Sequence, residues 1–396
     1  MNEIFQNSLK FLNLLLNDAV LLGASDVHLK TYSVPVFRIN GTLHKMDKRY
    51  EVLKPEKINP MIAGILNDDQ RKALKESSEI DLSYSVPGVG RFRVNVFKQR
   101  SSLGAVFRTI PFSVKSIDEL ILPPVIKKIA DRRRGLILVT GTTGSGKSTT
   151  MASIVDYINS TRDCNIITIE DPIEFLLRDK KSIVSQREIG IDTKSFATAL
   201  RASMREDPDV IMVGEMRDLE TIEIALTAAE TGHLVISTLH TLNAVETINR
   251  IIAVFPPNYQ GQIRQQLGSV LAAAISQRLI KKKDGRSRVP AVEVLITSQL
   301  VKEIILDGAR FKELKDVIEK SYQNYGMQTF DQSIFQLYKD GHISEKEALE
   351  NASSPDDLIL RMQGVSMSGD GDWASFDGGS EGMTPQYEPT DFEFEN

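Results

Sequence analysis

The chain has 396 residues, enough for two or three domains that each bury a core, and its 41% hydrophobic, 26% charged and 7% aromatic content is that of globular protein. This composition excludes a disordered, collagenous or membrane-embedded chain. A single cysteine, Cys164, excludes an internal disulfide framework and any zinc site built from paired cysteines, which points to a reducing compartment. The formal net charge is −5, yet residues 366–396 carry eight acids and no Lys or Arg, so the body lies near +3. A body so nearly balanced makes no bulk demand for nucleic acid, although Lys281-Lys282-Lys283 can form a local patch.

The stretch from Leu9 to Leu22 is Leu-rich but broken by Lys10, Asn13, Asn17 and Asp18, and no small-residue cleavage site follows it. It reads as an amphipathic helix rather than a signal peptide. No run approaches the ~18 to 20 apolar residues of a membrane span, so membrane association has to come through a partner. Short β-rich runs follow at Asp26 to Lys30, Val36 to Ile39, Ile80 to Ser85, Phe92 to Phe97 and Gly104 to Ile110, with turn signals at Asn40-Gly41 and Pro87-Gly88. Residues 1–111 are therefore expected to form a small α+β domain. Prolines 111, 123 and 124 mark a linker over 112–124, ahead of a basic helix ending at Arg132-Arg133-Arg134.

From residue 135 onward apolar strands alternate with helical patterns: Leu136 to Thr140, Ile166 to Ile169, Val210 to Val213, Leu234 to Thr238 and Ala291 to Leu295. That alternation is the signature of an α/β domain with a mostly parallel sheet, placed at 125–297. Residues 298–365 read as helices with apolar positions at Leu300, Val301, Ile304, Ile305, Phe330, Ile334, Leu337 and Tyr338. The acidic tail, 366–396, is expected to be disordered, and its Trp373, Phe376, Tyr387, Phe392 and Phe394 suit either a docking peptide or an inert solubilising tail.

The strand ending at Thr140 runs directly into Gly141-Thr-Thr143-Gly144-Ser145-Gly146-Lys147-Ser148-Thr149, and a helical stretch begins there. A phosphate-binding loop needs glycines that let backbone N–H groups turn inward, a lysine for the β and γ oxygens and a hydroxyl for magnesium. Thr143 to Thr149 supply these groups for ATP, with Ser148 as the magnesium hydroxyl. Phosphoryl transfer to water also needs an acid near the metal and a residue that orients or deprotonates the water. Glu170-Asp171-Pro172-Ile-Glu174 and Gly214-Glu215-Met-Arg217-Asp218 each follow an apolar strand, at the edge where open parallel sheets bind ligands. His233 and His240 bracket another strand; His240 stands at the same edge, while His233 is expected to lie farther away in a role at least as much structural. In the N-terminal domain Arg91 and Arg93 alternate on one strand face and Arg100 and Arg108 follow, either as a solvated stripe or as guanidinium groups offered to a neighbouring subunit's nucleotide.

Taken in order, these elements resemble the type II and type IV secretion ATPase superfamily, most closely its type IV pilus retraction branch, PilT and PilU. Gly141 to Ser148 resembles that family's Walker A, Glu170 to Glu174 its Asp box, Val210 to Arg217 its Walker B and Thr231 to His240 its His box. The likeness runs from Ala24-Ser-Asp26-Val-His28 to Gly326-Met-Gln-Thr-Phe-Asp331. It implies a PAS-like N-terminal domain, a RecA-like ATPase domain and a homohexamer with ATP between subunits. It further implies Glu170 as general base, Glu215 beside magnesium, and Arg93, Arg100 and Arg108 as sensors or stabilisers of the γ-phosphate. The function implied is an ATP hydrolase motor for pilus retraction, cytoplasmic and held at the inner membrane by an integral platform protein. Leu300-Val-Lys-Glu-Ile-Ile-Leu-Asp307 departs from the PilT pattern and, with Ser353 to Arg361, is similar to PilU, an accessory paralogue that supports another retraction ATPase.

Overall fold

The computed structural model describes residues 2–111, 113–285 and 287–364, so the expected acidic tail lies outside the described residues. The chain divides into two compact units, one comprising Met1–Ser113 with Pro172–Leu176 and the other the remainder.

In the first unit a leading helix, Asn2–Leu21, precedes strands β1 (Ala24–Lys30), β2 (Val36–Ile39) and β3 (Thr42–Lys45). Helices Pro55–Ile65 and Asp68–Ser77 follow, and β4 (Glu79–Val86), β5 (Gly90–Gln99) and β6 (Ser102–Ile110) complete an antiparallel sheet of order β3-β2-β1-β6-β5-β4. Leu12, Leu15, Leu16 and Ala19 lie on one face of the leading helix and are buried, as helical spacing requires. Along β5, Phe92, Val94 and Val96 enter the same core with Phe107 and Phe37, which turns Arg91, Arg93 and Asn95 to the opposite face. Asn40 and Gly41, both at positive φ, form the two-residue turn that joins β2 to β3. The strand β3 and the two middle helices are additions to the sequence reading. β3 is wholly exposed and so carries no hydrophobic period, and Asp68–Ser77 is set by an Asn67–Gln70 capping box more than by its one buried residue, Leu74.

The second unit contains β7 (Gly135–Thr140), helix Lys147–Thr161, β8 (Asn165–Glu170), β9 (Ile183–Glu188), helix Phe196–Ser203, β10 (Val210–Val213), helix Leu219–Glu230 and β11 (Leu234–Leu239). Helices Ala244–Ala253 and Gln260–Val270, then β12 (Leu271–Lys281) and β13 (Arg288–Ile296), precede a run of short helices between Gln299 and Met362. The sheet order is β13-β12-β7-β11-β10-β8-β9, parallel throughout except for β13. Strands β7, β10 and β11 are buried at every position because helices cover both faces of a parallel sheet. The strands β9 and β12 were not expected. Ile117 and Leu122, from the expected linker segment, enter the core of this unit. In the C-terminal helices Val301, Ile304, Ile305, Phe330, Ile334 and Leu337 are buried as anticipated, whereas Leu300 faces outward at 43% exposure.

The centre of this sheet gives a direct stability test. Ile236 lies fully buried in β11, so Ile236→Ala is expected to destabilise the protein by about 2–5 kcal/mol, read from the shift of the urea unfolding midpoint.

Candidate active site

β7 delivers the chain to a loop whose conformation depends on glycine. Gly141, Gly144 and Gly146 have φ values of 142°, 81° and 91°. A Cβ on Gly141 would overlap the backbone oxygen of Gln277 on β12 and approach Ser145 Oγ to 2.6 Å, while one on Gly146 would lie 2.7 Å from Gln277 Nε2. Gly146 is the residue before helix Lys147–Thr161, so the first N–H groups of that helix point back toward the concavity of the loop. Lys147 is buried, and its Nζ donates to the carbonyls of Gly141 at 2.9 Å and Thr142 at 3.0 Å. The ammonium thus spans the loop mouth.

Because β8, β10 and β11 run parallel to β7, their C-terminal ends lie on the loop's side of the sheet. Glu170 closes β8 and is buried; its Oε1 accepts hydrogen bonds from Thr168 Oγ1 at 2.7 Å and from Gln186 Nε2 at 3.0 Å. Gln186 Oε1 in turn accepts the Leu177 N–H at 2.8 Å. Gly214, just past β10, donates its N–H to the Ile169 carbonyl at 2.8 Å, and a Cβ there would lie 3.5 Å from Glu170 Cα. The two acidic strand ends are therefore packed backbone to backbone. Glu215 meets Arg217 Nε at 2.7 Å and His240 Nε2 at 3.6 Å. Thr238 from β11 steadies this corner by donating Oγ1 to the Gly214 carbonyl at 2.7 Å. Ser148 lies in the first turn of helix Lys147–Thr161.

His233 stands at the other end of β11, where its Nδ1 lies 2.8 Å from the Ala228 carbonyl at the end of helix Leu219–Glu230. It closes a helix, away from the phosphate edge. Asp218 caps the start of that helix through the Thr221 N–H, so of the acids after β10 one is a cap and Glu215 is not. Gln186, Thr168 and Gln277 carry no functional signal in the sequence. Each is an ordinary polar residue on a strand, and only the sheet order shows what it touches.

Within the N-terminal unit Arg93 and Arg108 are direct cross-strand partners on β5 and β6, and Arg108 is also opposite Asp26 on β1. Arg108 Nε donates to Asp26 Oδ1 at 2.9 Å, and Arg38 Nε lies 3.8 Å from Oδ2. One carboxylate thus offsets the repulsion of guanidinium groups on one rung. Arg100 is instead in the two-residue turn between β5 and β6 at φ 45°, about 20 Å along the strand from Arg93 at ordinary strand rise. The structure brings Arg93 and Arg108 together and leaves Arg100 at the far end.

Residues 4–336 match the family model described as type II/IV secretion system protein. The chain belongs to the type II/IV secretion system protein family. Among relatives of this family, it is 47% identical over 336 residues to the type IV pilus retraction ATPase PilT of Pseudomonas aeruginosa, covering 85% of this chain and 96% of that protein. It is 40% identical over 341 residues to the type IV pilus ATPase PilU of the same organism, covering 86% and 88%. A crystal structure of the pilus retraction motor PilT with bound ADP aligns with a TM-score of 0.77 at 47% identity, covering 88% of this chain and 98% of that one. The family fold, a RecA-like α/β ATPase unit preceded by a smaller α+β unit, is the one expected from the sequence.

The buried Asp26 gives a pH test. Burial works to raise its carboxyl pKa, but the Arg108 hydrogen bond, the Ser25 hydrogen bond and the Arg108 charge together hold it below the usual aspartate value. A carboxyl with a depressed folded pKa contributes stability that is complete above its unfolded value, about 3.9, and is lost as pH falls through the folded value. Wild type is expected to exceed Asp26→Asn by roughly 1 kcal/mol, unchanged from about pH 7 to 5 and shrinking below about pH 4, in urea unfolding of the full chain.

Proposed function

We propose that this chain is a P-loop ATPase motor that works as a homohexamer on the cytoplasmic side of the inner membrane and powers type IV pilus retraction. The observation that carries this reading is the meeting of the Gly141–Ser148 loop, Glu170 and the Glu215–His240 pair at one sheet edge, in a chain that spans 96% of a retraction ATPase. Among the described residues no helix is long and apolar enough to cross a membrane. Attachment to the membrane is accordingly assigned to an integral platform protein.

In this reading the N–H groups of Thr143 to Thr149 and the Lys147 ammonium hold the phosphates of ATP. Glu170 takes a proton from water as the water oxygen bonds to the γ-phosphorus and the β–γ bridging oxygen leaves with ADP. Thr168 and Gln186 donate hydrogen bonds to one carboxylate oxygen and so aim the group. Among the described residues no three of His, Cys, Asp and Glu gather as a metal cage. Magnesium needs none, since it is held by one or two protein oxygens together with substrate phosphates and water. The Ser148 hydroxyl and the Glu215 carboxylate fit that requirement, and the ion would supply neutralisation of the phosphate charge. His240 and Arg217 restrain Glu215 from the side of β11 and its own loop. Arg93 and Arg108 are assigned to the γ-phosphate of a neighbouring subunit, as charge-assisted donors. Arg100, at the hairpin tip, then serves a different contact from that pair.

A second reading keeps the ring but makes it an accessory, PilU-like partner of another retraction ATPase. It is favoured by the departure at Leu300 to Asp307. The higher identity to PilT and the intact acids favour the primary motor.

Glu170→Gln is expected to lower ATP turnover at least ~100-fold while ADP affinity stays within about threefold; undiminished turnover removes Glu170 from the role of base. Expression in cells lacking their own retraction ATPase is expected to restore retraction without a paralogue, and restoration only when the paralogue is present supports the accessory reading instead.

A further inference from the structure

β12 lies beside β7 in parallel register, with Ser276 opposite Thr140. The next residue, Gln277, is 97% buried, since only 3% of its surface remains exposed. Its Nε2 donates to the Ser145 carbonyl at 2.6 Å, and its Oε1 accepts from Thr150 Oγ1 at 2.7 Å. The carboxamide orientation is fixed by chemistry, because a backbone carbonyl only accepts and the NH2 group must face it. Thr150 belongs to helix Lys147–Thr161 and also donates its backbone N–H to the Gly146 carbonyl at 3.0 Å. One side chain therefore joins the middle of the loop to the helix that follows it.

We propose that Gln277 is a positioning residue for the nucleotide, which acts by fixing the peptide between Ser145 and Gly146. This rests on the reading of Gly141–Ser148 as the phosphate cradle. In a planar trans peptide the carbonyl and the following N–H point in opposite directions. Tethering the Ser145 carbonyl to Gln277 on the sheet side therefore turns the Gly146 N–H away from the sheet, into the concavity where an anion is held. Gly146 adopts this geometry at φ 91°, and the space its missing Cβ would take is occupied by the Gln277 carboxamide at 2.7 Å. Glycine and glutamine are thus fitted to each other. A buried side chain needed only for volume would not require a donor at this atom; the orientation of the peptide does.

Gln277→Glu changes that one donor into an oxygen of the same size. As a carboxylate it sets oxygen against oxygen at the Ser145 carbonyl and adds charge beside the phosphates; as a protonated acid it can donate again. The test is a titration of the full-length assembled protein with fluorescent N-methylanthraniloyl-ADP and magnesium, for wild type, Gln277→Glu, Gln277→Leu, Thr150→Val and Lys147→Ala. Near pH 8, Gln277→Glu is expected to bind roughly tenfold more weakly than wild type. The ratio to wild type should close to about threefold or less near pH 5.5, because burial at this position raises the introduced acid's pKa well above the ordinary glutamate value. Gln277→Leu should be weakened at both pH values without that recovery, and Thr150→Val, which frees the carboxamide to rotate, by about threefold.

A Gln277→Glu protein that binds within twofold of wild type near pH 8, or whose ratio to wild type does not change with pH, overturns the proposal. The acid variant alone decides the matter should Gln277→Leu fail to fold. Lys147→Ala separates the two levels of the argument. If it binds ADP as wild type does, the cradle reading itself fails; if it loses binding while both Gln277 variants retain it, the cradle stands and Gln277 has no part in it.

Discussion

The constraint on which the rest of this structure depends is the position of β7 between β11 and β12. A parallel strand with neighbours on both sides and helices over both faces is shut off from water, so every residue from Gly135 to Thr140 is buried and the one polar side chain, Thr140, donates to Ser276 Oγ at 2.9 Å. The loop that follows has to leave this packed layer at once. Gly141 does so against the backbone of Gln277, where any side chain would collide. The phosphate loop is thereby shaped by the strand next to it as much as by its own sequence. Its glycines are required at 141 and 146 by crowding, and at 144 by φ alone, since a Cβ there would meet nothing.

The same packing explains which strands were legible. Ile166 to Ile169, Val210 to Val213 and Leu234 to Thr238 are short β-branched and apolar runs, and such runs are what parallel strands buried on both faces look like. β12 is buried from Leu271 to Gln277 but begins Leu-Ala-Ala-Ala, which has little intrinsic preference for a strand. Its conformation is imposed by its pairing with β7 and β13, a fact of topology that no local pattern carries. β9 pairs only with β8, at the sheet edge, and reads as a mixed polar segment for that reason. In the first unit, helix Pro55–Ile65 contains Gly64 and an internal Pro60, both poor helix formers. Burial of Ile58, Met61 and Ile62 outweighs that local cost.

The charged groups divide in the same manner. The acids at 170 and 215 were readable because a strand end followed by an acid is a local pattern. Their restraint was not, because Gln186, Thr238 and His240 reach this corner from neighbouring strands or just beyond them, and Thr168 from two positions back on the same face of β8. Arg93, Arg100 and Arg108 look equivalent in sequence. Pairing separates them, since register places Arg93 and Arg108 on one rung with Asp26 and sends Arg100 to a tight turn. In that turn Arg100 and Ser101 both adopt positive φ, as a two-residue hairpin connection demands. Arg100 is therefore the arginine least free to be placed by function, because its backbone is set by the hairpin.

The course of the chain around Glu170 adds a last step. Asp171 is the final residue of the second unit before Pro172–Leu176, which groups with the first, and the chain re-enters the second unit at Leu177. Gln186 holds both ends of that excursion, with Nε2 on the Glu170 carboxylate and Oε1 on the Leu177 N–H. A carboxamide has one rigid plane, so its donor and acceptor cannot move independently. A shift of Leu177 that keeps its hydrogen bond must turn that plane and carry the Gln186 donor across the carboxylate of Glu170. A shift that breaks the bond leaves a polar atom of Gln186 to find another partner. Either way the aim of the carboxylate depends on the position of Leu177, seven residues further along the chain, through the single side chain of Gln186.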